Sequence, residues 1–504
     1  MRTNRLLNIT FLAILVAGLC YIVWLGSIDH FERNWDSTLH IGTTQESSVF
    51  IKRGWIGYGG SYYKLGNFVQ ILFSPLTDLQ IELGYPTDGV LFALICLNFL
   101  VFLAFTYSFF RLFGVSWPWA LPLVAIILSG TASRWMLRAY PDIMVAGFVG
   151  LGTLALLTHI FRRPSSMMLL FSGVAFGIAV QGKPTAILSI FGLLPLIWLS
   201  SSKVKDLLFF IPAMAMAFGL LGYPQNFDMV QKLLTNASCE SESWCGRFQT
   251  DATFGYMHRY LVEFFYTAIL PSSIFLLARS STIESIKQKV SVSAVRILIF
   301  ALALSACSPI LFILARPLDL QTVHYGLMSI PSLMMLFLIV WSPSSRFQPA
   351  LVTVATVISL ILVYEGGQQG IKRVHAQKLE DYRCLPLYRW HLKNLAEGDV
   401  FTVYTPRIYA LNSGQKYSPR HILTEIGDGQ PHRLFTASAF MDRFRRSDAT
   451  INSEDRSREY MNKIASIKEL ETSRFGNIQI HRLGNENDCD LEIYSVSYIS
   501  QLKQ

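Results

Sequence analysis

Ionisable side chains recur in this chain at the lips of long apolar segments, where an unpaired charge is costly and a paired one is equipped to act. The first group, Asp29-His30-Phe31-Glu32-Arg33-Asn34-Trp35-Asp36, follows directly on an apolar run ending at Ile28. Glu32 and Asp36 are four residues apart, so a helix would carry both carboxylates on one face. Later in the same segment, Lys52-Arg53-Gly54-Trp55 and Tyr62-Tyr63-Lys64-Leu65-Gly66 mix aromatics, glycines and cations. Either these are interfacial helices with snorkelling cations, or Tyr63 and Lys64 face a ligand. The second group, Ser133 to Asp142, puts Arg134, Arg138 and Asp142 at the start of another apolar run. Asp142 is expected to face a polar cavity near Arg138 or Arg134, although Pro141 and Asp142 also suit the first turn of any helix. The third is Lys183, in a Gly-Lys-Pro junction between two apolar runs. It can snorkel to a lipid phosphate or neutralise the phosphate of a lipid-linked substrate. The fourth, Arg316 to Tyr325, adds Arg316, His324 and Tyr325 in one turn, where His324 by itself reads equally as a structural hydrogen-bonding residue.

The elements that must position these groups are membrane spans. The 504 residues are 52% hydrophobic and 15% charged, with mean hydropathy +0.37. That is too apolar for an ordinary soluble domain of this length. Runs long enough to cross about 30 Å of hydrocarbon lie near 6–28, 89–110, 114–131, 141–161, 167–182, 184–200, 206–222, 260–278, 293–315, 325–341 and 349–365, about eleven in all. The first reads as a retained anchor, because it is longer than a signal-peptide core and lacks a small-x-small cleavage site. Residues 366–504 carry 20 Lys/Arg and 17 Asp/Glu, against 23 and 17 in residues 1–365. The division is therefore a membrane domain over 1–365, including a long loop at 29–88, followed by a soluble domain over 366–504. Val400 to Tyr404 and Phe475 to Ile480 have the composition of strands.

With Arg2 and Arg5 in the cytoplasm, an odd span count puts the tail outside. Arg162-Arg163, Lys203/Lys205, Lys287/Lys289 and Arg346 then fall inside, as the positive-inside rule expects. Cys239, Cys245, Cys384 and Cys489 fall on the outer, oxidising side, where Cys239–Cys245 and Cys384–Cys489 are the expected pairings.

The net charge of +9 does not indicate nucleic acid, since no run of like charge or basic-aromatic stripe accompanies it. Metal-ligand spacings are lacking: there is no His-x-x-x-His or Cys-x-x-Cys, and Asp488-Cys489-Asp490 reads as a turn. Phosphate-loop, dinucleotide-binding and nucleophile-elbow patterns are also absent.

In order and sidedness these groups resemble the GT-C glycosyltransferases, particularly the protein mannosyltransferases and the aminoarabinose transferases of lipid A. The resemblance spans nearly the whole chain. Asp36 to His40 resembles the family's acidic segment after the first span, and Tyr62 to Gly66 its tyrosine segment, without the usual proline. Arg138 to Asp142 resembles its Arg-x-x-x-Asp, Gly173 to Pro184 its glycine-rich helix, and His324-Tyr325 with Pro331 its Arg-Tyr turn, with His for Arg. Residues 398–420 are similar to the opening of its external domain.

The resemblance implies an α-helical polytopic fold with a small external α/β domain, in a bacterial inner membrane. It implies transfer of a sugar, with inversion, from a polyprenyl-phosphate-linked donor to a glycan, lipid or protein acceptor. Asp36 would be the base and Glu32 its reserve. Arg138, Lys183, Arg316 and His324 would face the phosphate, Asp142 would orient a cation or the acceptor, and Tyr63, Lys64 and Tyr325 would line the substrate site. No cofactor is required by these residues, although some relatives use a divalent metal. The rival reading is a transporter or flippase of a lipid-linked or sugar substrate, which should show inverted repeats and polar breaks near mid-membrane.

Overall fold

The structure is a computed structural model that describes residues 2–27, 88–127, 136, 140–183, 185–200, 202–221, 261, 264–315, 326–341, 343–365, 368, 400–401, 432–436, 477–486 and 491–499. The chain divides into two compact units, one holding the helices and the other the strands.

The helical unit contains α1 (Arg2–Ser27), α2 (Asp88–Phe113), α3 (Ala120–Ile127), α4 (Asp142–Phe161), α5 (Ser166–Gly182), α6 (Ala186–Leu193), α7 (Lys203–Leu221), α8 (Ser281–Lys289), α9 (Val292–Ala315), α10 (Ile330–Val340) and α11 (Gln348–Glu365). Among the described residues five helices, α1, α2, α4, α9 and α11, are long and apolar enough to cross a membrane, and shorter apolar helices run over Ser166–Gly182, Ala186–Leu199 and Gly326–Val340. The chain is a multi-pass membrane protein.

Several boundaries differ from the hydropathy reading, each for a local reason. The run 114–131 does not begin as a helix. Gly114 takes φ 63° and lets the Val115 N–H reach back to the Phe110 carbonyl at 3.1 Å, which closes α2. A 3-10 turn at Trp117–Trp119 and then α3 follow. The run 260–278 is not one α-helix either: Phe265–Ile269 is a π stretch, Leu270–Ser273 an α turn and Ile274–Leu276 a 3-10 turn. Pro271 lacks the N–H that an unbroken ladder needs. The run 206–222 starts earlier, at Lys203, so three charged residues open α7.

The helices around α4 are in tight register. α2 runs parallel to α4: Asn98 of α2 bonds to the Met144 N–H of α4 at 3.0 Å, and further along Phe105 lies against Gly150. α5 returns antiparallel, with Ser172 Oγ donating to the Gly152 carbonyl at 2.8 Å. α7 lies parallel to α5. A Cβ on Gly173 would stand 2.5 Å from the Phe210 carbonyl oxygen, and one on Gly177 2.6 Å from that of Met214. Two glycines at this spacing let the backbones approach as no larger residue would. Farther along the chain, Ser305 and Ser332 hydroxyls bond at 2.8 Å between α9 and α10, and Ser329 Oγ donates to the Ala306 carbonyl at 2.6 Å.

Cations collect at one end of this unit. There Tyr107 Oη donates to Asn8 Oδ1 at 2.9 Å, Arg162 donates to the Leu112 carbonyl, and Ser280 donates to the Phe113 carbonyl. Gln348 joins three segments, accepting from Trp119 Nε1 at 3.1 Å and the Arg279 N–H at 3.4 Å while donating to the Leu277 carbonyl at 2.9 Å. These bonds, with the contact of His159 and Asp206 at 3.0 Å between the end of α4 and the start of α7, bring together the segments that carry Arg5, Arg111, Arg162, Arg163, Lys203, Lys205, Arg279, Lys287 and Arg346. At this end Glu284 pairs with Arg279 at 3.3 Å and Asp206 is buried.

The second unit holds a four-stranded sheet in the order β1-β2-β4-β3, from β1 (Val400–Phe401), β2 (His432–Thr436), β3 (Asn477–Glu486) and β4 (Leu491–Ile499). β1 pairs parallel with β2, while β2–β4 and β3–β4 are antiparallel, with a bulge between Arg482 and Gly484. The strand read from Phe475 to Ile480 is thus longer than its composition suggested.

Candidate functional site

Two of the residues singled out from the sequence meet across the α4–α5 hairpin. Asp142 is the first residue of α4, behind Pro141, and is fully buried. Lys183 caps α5 in an extended conformation after Gly182, its N–H still bonded to the Ala179 carbonyl at 2.9 Å. Its Nζ lies 2.6 Å from Asp142 Oδ1, with the lysine side chain 14% exposed and the aspartate side chain 0%. A carboxylate at a helix N-terminus gains from the positive end of the helix dipole, and a buried one needs a counter-charge as well. Both requirements are met here.

The start of α4 is fixed from outside the helix. No side chain of the N-cap bonds to the first turn. Instead the buried Asn98 amide of α2 takes the Met144 N–H through Oδ1, while its Nδ2 donates to the Leu94 carbonyl at 3.1 Å. One of the four N–H groups that a helix start leaves open is thereby satisfied by a neighbouring helix. Tyr140 and Met136, just before the turn, are also buried.

Asp142 has Lys183 as one partner; Arg138 and Arg134, near which the sequence reading placed its cavity, lie outside the described residues. So do Glu32, Asp36, Tyr63, Lys64, Arg316, His324 and Tyr325, and the cysteines of the two expected pairings. Among the described residues Cys20, Cys96 and Cys307 are free thiols.

A second buried polar group, which the sequence reading missed, sits at the other end of α4. Asp142 and His159 are separated by 17 residues, about 25 Å along the helix at 1.5 Å per residue. His159 Nε2 lies 3.0 Å from Asp206 Oδ2, and its Nδ1 accepts the Ser165 N–H at 2.9 Å. The same Nδ1 lies 3.1 Å from the Ser165 carbonyl oxygen, so the ring ties the α4–α5 turn to Asp206. Ser200 Oγ donates to the same Asp206 oxygen, and Ser202 Oγ donates to Oδ1 at 3.2 Å. The signal in the sequence was a histidine in the last turn of one apolar run and an aspartate in the first turn of another. Among the described residues no group of three or more His, Cys, Asp or Glu could hold a metal ion.

No family model matches the chain, and no curated protein matches it in sequence. Solved structures do match. The crystal structure of ArnT from Cupriavidus metallidurans in the apo state superposes with a TM-score of 0.55 at 10% identity, over 95% of this chain and 97% of that one. The same protein bound to undecaprenyl phosphate gives 0.54 at 11% identity, over 96% and 97%. The fold is GT-C-like. Within this GT-C-like fold the Asp142–Lys183 pair closes the open end of the α4–α5 hairpin, and the His159–Asp206 group ties the cation-rich end of α4 to α7.

Proposed function

We propose that the chain is an inverting glycosyltransferase that moves a sugar from a polyprenyl-phosphate-linked donor to a glycan, lipid or protein acceptor at the outer face of the membrane. The observation that carries this reading is the buried Asp142–Lys183 pair, set at a helix lip within a fold shared with an ArnT that was crystallised with undecaprenyl phosphate. A lysine held at the edge of an apolar wall is suited to a phosphate whose tail must stay in the bilayer. The cation-rich opposite end supports placing that end in the cytoplasm and the Asp142–Lys183 end outside. The domain over 366–504 would then be external as well.

In the proposed step a carboxylate of the 29–88 loop, Asp36, takes the acceptor's proton as the acceptor oxygen bonds to the anomeric carbon. The bond from that carbon to the phosphate oxygen breaks, and the polyprenyl phosphate leaves with the electron pair. Lys183, with Arg138, Arg316 and His324, offsets the negative charge that develops on the leaving phosphate. Asp142 holds Lys183 in place, and Tyr63, Lys64 and Tyr325 line the donor site. Glu32, one helical turn before Asp36, supports the base.

The deciding measurement is a transfer assay on membranes containing the protein, with a panel of labelled polyprenyl-phosphate sugars. Sugar is expected to move from at least one donor to an acceptor, and Asp36→Asn is expected to stop it. Donor that crosses the bilayer with its glycosyl bond intact would instead establish a flippase.

A further inference from the structure

We propose that the cation-rich end of the helical unit carries a binding site for an anionic glycerophospholipid of the surrounding bilayer. Arg163 in the α4–α5 turn, with Lys203 and Lys205 at the start of α7, forms its headgroup contact. The His159–Asp206 bond at 3.0 Å draws that turn and the start of α7 together, and all three cations lie within a few residues of it. Each of the three is exposed, and among the described residues none of them makes an ion pair. The nearby acid, Asp206, forms no ion pair with any of the three, because its carboxylate is buried and engaged by His159, Ser200 and Ser202. Arg162 is diverted from the group, since its guanidinium donates to the Leu112 carbonyl. Among the described residues, three exposed positive charges therefore stand near one another with no ion-pair partner.

Directly beside them the same two helices expose apolar side chains: Met167 and Phe171 on α5, and Val204, Leu208 and Ile211 on α7. Met167 is 72% and Leu208 69% exposed, which in a membrane protein is contact with acyl chains. The Gly173 and Gly177 contacts hold α5 and α7 side by side, so the apolar wall and the charged rim belong to one surface. An anionic lipid satisfies both parts. A soluble polyanion would use only the rim, and a zwitterionic lipid brings no net charge for the cations to gain. This inference rests on the helical unit alone and stands whether or not the transfer chemistry does.

The test uses the purified full-length protein in phosphatidylcholine vesicles doped with spin-labelled phosphatidylglycerol or spin-labelled phosphatidylcholine. The motionally restricted fraction measures how strongly each lipid associates. Each cation near a membrane surface favours anionic lipid by about five-fold, so the wild type is expected to prefer phosphatidylglycerol by at least about that factor. The triple variant Arg163→Gln/Lys203→Gln/Lys205→Gln is expected to fall to near parity. Lys287→Gln, which removes an exposed cation elsewhere at the same end, is expected to keep the preference. If the triple variant does not fold, Lys205→Gln alone must lower the preference measurably. Equal restriction of the two lipids by the wild type overturns the proposal. So does a loss with Lys287→Gln as large as with Lys205→Gln, which would mean diffuse charge, or abolition of the preference by inorganic phosphate at constant ionic strength, which would mean a soluble anion site.

Discussion

Lys183 and Asp142 can be separated into structural and chemical roles because the pair is buried on one side and partly open on the other. Removing one member of a buried pair typically costs about 3–5 kcal/mol. Lys183→Ala and Asp142→Ala should therefore each lower thermal stability in detergent, whereas Lys183→Met combined with Asp142→Asn should restore most of it. Under the proposed function the stable double variant still fails to use a lipid-phosphate donor, because the ammonium is gone. A double variant that is both stable and active would remove Lys183 from the phosphate site. Asp36→Asn belongs to the same scale. Loss of a general base costs typically about 10²–10⁴-fold, so transfer should nearly vanish while membrane insertion and donor affinity persist, and Glu32→Gln should do less. If neither variant loses activity, the proton is taken elsewhere and the 29–88 loop is structural.

Helix contacts decide how much of this was legible. The carboxylate at position 142 was visible as costly from its place before an apolar run, but its partner is 41 residues on. Only the register of the α4–α5 hairpin brings Lys183 back to it, and that register is not written in the local sequence. The Gly173–Gly177 spacing was visible too, although nothing in the sequence said that it meets Phe210 and Met214 of α7. Pro271 and Gly114 explain why two apolar runs did not become plain helices: a missing N–H and a left-handed residue act locally, beneath the averaging of a hydropathy window. The α5–α7 contact makes a direct prediction. Gly173→Leu should destabilise the helical unit by about 1–3 kcal/mol through overpacking, read as a lower melting temperature in detergent. Because α5 also carries Lys183, transfer should fall with it. His159→Leu should cost about 1–3 kcal/mol, the penalty of leaving a buried acceptor short of a donor, without changing donor affinity at the far end of α4.

For the whole molecule, orientation is the property on which the proposed chemistry depends. The cations gathered at one end, against an acid that is paired and one that is buried, support a cytoplasmic placement of α1's start. Cys384 and Cys489 should then react with an impermeant thiol reagent added to intact cells after reduction. Reaction only after lysis would invert the topology and remove Asp36 from the side on which acceptors are presented. The apolar balance of the sequence made a membrane protein legible from the outset, and the likeness to ArnT at 10% identity is one of helical framework rather than of side chains.

α7 opens with Lys203, Lys205 and Asp206, carries Pro212 inside it, and is not among the five helices that qualify as spans by length and composition. A segment with that profile is a poor candidate to partition from the translocon into lipid unaided, since each central or near-terminal charge raises the cost of entry. Its backbone fits against Gly173 and Gly177 of a helix made earlier in synthesis, so α5 is available as a docking partner when α7 emerges. Biogenesis of this protein would then be cooperative. In a cell-free insertion assay with glycosylation tags on either side of residues 203–221, α7 should integrate efficiently behind wild-type α5 and poorly behind Gly173→Leu/Gly177→Leu.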